Sequence, residues 1–132
     1  MKLDSPKQTV EKSQQEVFDF LNDVKNFEKL MPENVTKFET LGEEGFVFAL
    51  AGMPEVELKK KHIVEPTKIQ LGAPTGSKID FNLLADIKEI TATSSEVQFI
   101  FSGEFNMMIG MMIKGPINKM IETWVNNIPK AI

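Results

Sequence analysis

The stretch EVQFIFSGEFNMMIGMMIKGPINKMIETWVNNIPKAI, residues 96–132, decides the fold, because its apolar period changes partway along. Over 96–106, Val97, Phe99, Phe101 and Phe105 share one face while polar residues dominate the alternate positions, which is the period of a strand with one buried face. From Met107 the spacing turns helical. Ile117, Met120, Ile121, Trp124, Val125 and Ile128 form one apolar stripe, with Lys114, Lys119, Glu122, Asn126 and Asn127 on the other side. Gly115-Pro116 interrupts the segment, and proline suits the first turn of a helix. The spacing therefore predicts a short Met-rich turn at 107–113 and a main helix from near Pro116. Such a helix is ~22 Å long, about the reach of a seven-residue strand, so it can lie across a sheet and cover it.

Upstream, residues 3–10 carry a short extended signal, and Ser13-Gln14-Gln15-Glu16 reads as a capping box that opens a helix. Val17, Phe18, Phe20, Leu21 and Val24 follow at helical spacing. Phe27, Leu30 and Met31 make a second short turn that Pro32 stops. Beyond Glu33 the period falls to two, and glycines and prolines cut the chain into strands at about 34–41, 45–51, 55–65, 67–72, 78–91 and 96–106. Phe46, Phe48 and Leu50 share a face, as do Phe81, Leu83, Ala85 and Ile87. Short polar loops imply antiparallel hairpins rather than crossover-linked parallel strands. The result is an α+β domain over 1–132: a curved antiparallel sheet of about seven strands around a long C-terminal helix, with two short helices after the first strand.

Composition narrows the function classes. The 132 residues contain no cysteine, which removes disulfides, zinc-thiolate sites and thiol nucleophiles and favours a cytoplasmic location. Every basic residue is a lysine and the net charge is -4, which argues against nucleic-acid binding. No stretch approaches the ~20 apolar residues of a membrane span, and MKLDSPKQTV lacks the apolar run of a secretory signal. Ten Phe and eight Met without a Tyr suit the lining of an oily space with few hydroxyl donors.

The run SQQEVFDFLND, Ser13 to Asp23, resembles the opening helix of small bacterial proteins of the START, Bet v 1 and polyketide-cyclase superfamily, SRPBCC. Leu30-Met31-Pro32 matches the point where their second helix meets the first long strand. Met108 to Pro116, followed by an Ile- and Trp-bearing helix, looks like their C-terminal helix. The element order is likewise similar to their helix-grip fold. The resemblance implies a cavity between the concave sheet and the terminal helix for an apolar or amphipathic molecule such as a lipid, sterol, polyketide or plant hormone. Members that act as cyclases or hydratases place polar residues in that cavity, and this chain departs from them in having no Arg, no Tyr and one His.

Candidate ligand contacts follow from the faces: Phe48, Leu58, Phe81, Leu83, Phe99 and Phe101 on the sheet, with His62 as the polar one, and Met108, Met112, Met120 and Trp124 on the terminal segment. Unbroken alternation over 55–65 puts Val56, Leu58, Lys60, His62 and Val64 on one face, with Lys60 and His62 pointing inward as candidates for acid–base work or for orienting the polar end of a ligand. A bulge or a solvated strand end leaves both at the rim instead. Met107, Met108, Met111 and Met112, with Met31, Met53 and Met120, form either an adaptable wall or a core filler and dimer contact. Gly110 and Gly115 would let that turn move as a gate. Asp80, Asp86, Glu89 and Glu104 fall on solvated faces without a catalytic pairing. Nucleophile-elbow, zinc-protease, P-loop and dinucleotide fingerprints are all missing, so no cofactor and no metal site is expected. The first expectation is a non-enzymatic carrier of a small hydrophobic ligand, monomeric or homodimeric. The rivals are a cyclase or dehydratase using His62 and Lys60, and a co-chaperone-like interaction domain.

Overall fold

A computed structural model of the chain describes residues 1–76 and 80–132. The extended N-terminal signal forms two strands, β1 (Lys2–Asp4) and β2 (Gln8–Val10), both paired antiparallel with the same later strand. The break falls at Pro6, which has no N–H to give a ladder. Ser5 covers the gap: its N–H donates to the Phe99 carbonyl at 2.8 Å, and its Oγ accepts the Phe99 N–H at 2.9 Å. Ser5→Ala leaves that buried N–H without an acceptor, at an expected cost of about 1–3 kcal/mol. The check is urea unfolding, in which the midpoint should fall at constant slope; an unchanged midpoint would show that the hydroxyl is dispensable.

α1 (Gln14–Asn22) begins where the capping box predicts. Ser13 Oγ accepts the Glu16 N–H at 3.1 Å, and Glu16 Oε1 accepts the Ser13 N–H at 3.3 Å. It buries Val17, Phe18 and Leu21. A 3₁₀ helix (Val24–Leu30) follows, capped by Asp23 and burying Val24, Phe27 and Leu30.

The meander is β3 (Val35–Leu41), β4 (Gly45–Leu50), β5 (Val56–Val64), β6 (Lys68–Gly72), β7 (Phe81–Thr91) and β8 (Ser94–Gly103). Each strand pairs antiparallel with the next, and the sheet runs β1-β8-β7-β6-β5-β4-β3, with β2 also on β8. Among the described residues eight segments thus fill seven positions, because β1 and β2 share one edge. The expected start of the seventh strand, at 78, lies outside the described residues. Gly45 sits where a Cβ would run into the Leu58 carbonyl, so glycine is what lets β4 close onto β5. The alternating residues Phe46, Phe48, Leu58, Ile69, Leu71, Leu83, Val97 and Phe99 are all buried on the inner face.

The last element departs from expectation. α2 (Met107–Ala131) is one unbroken helix of 25 residues, with Pro116 inside it, in place of a Met-rich turn followed by a helix. Asn106 Oδ1 starts it by accepting the Ile109 N–H at 2.9 Å. A proline withholds a single donor, here from the Met112 carbonyl one turn earlier, at a cost of about 3 kcal/mol. Burial on both sides of it offsets that loss: Gly110 before, and Ile117, Met120, Ile121, Trp124, Val125 and Ile128 after. The helix therefore extends about 37 Å, past the patch of sheet it rests on.

Candidate functional site

α2 packs on the 3₁₀ helix, β8 and the two N-terminal strands. Asn127 Nδ2 ties it down by donating to the Leu30 carbonyl at 3.0 Å. At the centre of this contact Trp124 is fully buried, its ring 5.3 Å from Phe27 and 5.8 Å from both Phe48 and Phe99, edge to face in each case. Among the described residues its Nε1 has no acceptor.

Between the first half of α2 and the end of the β4–β5 hairpin lies a cavity of about 1620 Å³. Met31, Leu50 and Val56 form one wall. Opposite them stand Ile109, Met112, Ile113, Ile117 and Met120 of α2. The third wall is a stack of rings, Phe81 on Phe101 at 5.8 Å and Phe101 on Phe105 at 6.0 Å. Gly103 makes room for that stack, since a Cβ there would lie 2.8 Å from the Phe105 ring and 2.9 Å from Phe81. The Ala51-Gly52-Met53-Pro54 turn edges the mouth.

Polar groups sit at the rim. Glu33, Asn34, Glu55 and Glu57 line one side, and Lys119, Thr123 and Asn127 line the other. Glu55 is paired with Lys37, 2.7 Å away, and its carboxylate, accepting that hydrogen bond, holds the Lys37 ammonium above the usual lysine range. Lys119 is the cation on the helix side of the mouth. Among the described residues no three His, Asp or Glu side chains converge to hold a metal, and no helix is long and apolar enough to cross a membrane.

The candidate contacts divide into three groups. Phe81, Phe101, Met112 and Met120 line the cavity. Phe48, Leu58, Leu83, Phe99 and Trp124 do not, because they lie in the packed core that the second half of α2 and the 3₁₀ helix cover. Met108 is 75% exposed on the outer face of α2. Of the proposed methionine wall, Met31, Met53, Met112 and Met120 touch the space, whereas Met107, Met108 and Met111 face away from it. The candidate gate glycines lie within a continuous helix.

Lys60 and His62 also leave the cavity. The ladder between β5 and β6 shifts register between them, pairing Lys60 with Leu71 but His62 with Gln70, so Lys61 is an extra residue. After that bulge Ile63 packs against the core and His62 is exposed. Both residues border a separate depression of about 330 Å³ between β5 and α1, with Asn22 and Glu44. The signal was present in the sequence: the inward apolar residues step from Leu58 to Ile63, an odd interval that strict alternation forbids. Leu50, Val56, Phe105, Ile113 and Ile117 are wall residues absent from the candidate contacts. The apolar turn Gly52-Met53-Pro54 was the clue to where the mouth lies, since an exposed loop is ordinarily polar.

The sheet order, the paired short helices and the long helix over the concave face together make this a helix-grip protein, with the fold of the SRPBCC superfamily. Solved structures agree along almost the whole chain. A START superfamily protein from Mycobacterium smegmatis superposes with a TM-score of 0.74 at 13% identity, over 98% of this chain and 94% of that one. The protein XoxI from Bacillus cereus gives 0.75 at 7% identity, with the same coverage of 98% and 94%. Norcoclaurine synthase from Thalictrum flavum, solved with dopamine and hydroxybenzaldehyde, gives 0.70 at 10% identity over 98% and 87%. No protein-family model and no curated protein matches the sequence.

Proposed function

We propose that this protein binds a small hydrophobic or amphipathic molecule in the cavity under the first half of α2 and acts as a carrier rather than a catalyst. The observation that carries the reading is the cavity itself: about 1620 Å³ walled by aromatic, branched and thioether side chains in a chain otherwise well packed. Burial on such walls is worth roughly 25 cal/mol per Å² of apolar surface, enough to hold a ligand of modest size without a strong polar anchor. The ligand's polar end faces Lys119, Thr123 and Asn127 at the mouth, the role first given to Lys60 and His62. The likeness in fold to a plant enzyme solved with two aromatic small molecules supports an occupied cavity. The cyclase or dehydratase reading loses its residues, since neither His62 nor Lys60 lines the space.

Titration with an anilinonaphthalene sulfonate or a fluorescent fatty acid tests this. Saturation near one probe per chain is expected, with quenching of Trp124, the one indole in the protein, which lies one helical turn beyond the wall residue Met120. A linear, unsaturated response would reject the carrier reading.

A further inference from the structure

We propose that the first two turns of α2 carry a thioether site for a soft monovalent cation, Cu(I) or Ag(I), built from Met107, Met108, Met111 and Met112. These four side chains are 82%, 75%, 77% and 66% exposed. Exposure on that scale contributes little to the core, and of the four only Met112 also touches the cavity, at its edge, so packing does not account for the cluster. The helix sorts its apolar residues by face. Ile109, Ile113, Ile117 and Ile121 are buried or half-buried, whereas every large apolar side chain on the solvent face of these turns is a methionine. If apolar area alone were wanted there, leucine or isoleucine would supply it equally well. What methionine adds is sulfur.

Spacing brings those sulfurs together. Met107 with Met111 and Met108 with Met112 are i,i+4 pairs, and Met108 with Met111 is an i,i+3 pair, so their Cβ atoms are about 5–6 Å apart on one stripe. Unbranched side chains with three rotatable bonds can then swing three sulfurs onto one ion. A thioether is soft and uncharged, which selects Cu(I)-type ions over Mg²⁺ or Ca²⁺. No hard anionic ligand lies on these turns, since the first charged residues along α2 are Lys114 and Lys119 and no carboxylate follows until Glu122. With no cysteine in the chain and the single histidine on β5, no thiolate or imidazole competes on this surface.

The experiment is titration of the full chain with Ag(I) in chloride-free buffer, followed through the methionine methyl resonances. Shifts should concentrate on Met107, Met108, Met111 and Met112, saturate at one equivalent, and leave Met31, Met53 and Met120, which line the cavity away from the cluster, unmoved. Thioethers carry no proton to lose, so the affinity should be flat between about pH 5 and 8, where a histidine site would titrate. The pairs Met107→Leu with Met111→Leu, and Met108→Leu with Met112→Leu, should each weaken binding by more than roughly tenfold. Leucine keeps the apolar surface, so a docking face for a protein or a membrane would survive these changes and a metal site would not. Anaerobic Cu(I) in competition with a chelator should give the same ranking. The proposal is overturned by an absence of saturable shifts, by a pH profile that follows His62, or by equal binding in the fourfold leucine variant.

Discussion

Trp124→Ala is expected to lower the stability of the fold by about 3–5 kcal/mol, the range for deleting a large buried aromatic side chain. The ring is fully buried and meets Phe27, Phe48 and Phe99 edge to face, so its loss opens a void at the junction of α2, the 3₁₀ helix and the sheet. Three aromatic pairs go with it, each worth about 0.5–1.5 kcal/mol beyond area burial. One effect runs the other way. The unpartnered Nε1 costs about 1–3 kcal/mol, and removing the indole relieves that. The net loss should therefore fall in the lower part of the range, which is still a large share of the 5–15 kcal/mol typical of a domain. Trp124→Phe separates the two effects, because it keeps most of the ring contact and discards the orphan donor, and it should recover most of the lost stability. Urea unfolding followed by far-ultraviolet circular dichroism reads both variants. A loss under about 1 kcal/mol for the alanine variant would mean that this cluster is not the centre of the core.

The same ring shows what a sequence discloses and what it withholds. The helical stripe through Ile117, Met120, Ile121, Trp124, Val125 and Ile128 is legible because a helix has a fixed period, and all six residues are buried. The Ser13–Glu16 capping box is legible for the same reason, its hydrogen bonds being local. So are the inner faces through Phe46 and Phe48 and through Val97 and Phe99. The position of the cavity is not local. Phe99 and Phe101 lie two residues apart on one face of β8, yet Phe99 is sealed under Trp124 and Phe101 looks into the space. Which of them meets the helix depends on where α2 crosses the sheet, and no periodicity encodes that. Continuity through Pro116 is a tertiary outcome of the same kind: the local rule says stop, and the burial of residues on either side decides otherwise. The bulge at Lys61 lies between these cases, since it moves His62 outward by a single inserted residue whose trace is the odd step from Leu58 to Ile63.

Ile113→Glu is expected to weaken probe binding by roughly 30-fold or more while leaving the protein folded. Ile113 is half-buried and lines the cavity from α2, four residues before Ile117 on the same wall. In the empty protein a carboxylate there reaches water through the open mouth, so the fold loses little. Once an apolar ligand fills the space, that water is displaced and the charge is desolvated. A penalty of about 2 kcal/mol for this corresponds to the stated loss of affinity, with lost apolar contact adding to it. Ile113→Leu, which conserves volume, should bind within about threefold of the unaltered protein. Ile90→Glu is the matched control. Ile90 is 49% exposed near the far end of β7 and lies off the cavity, so the same chemical change there should leave affinity untouched. Fluorescence titration of the three variants decides the matter. If Ile113→Glu binds as well as the unaltered chain, the probe sits elsewhere. If Ile90→Glu is equally damaging, net charge rather than the wall under α2 governs the interaction.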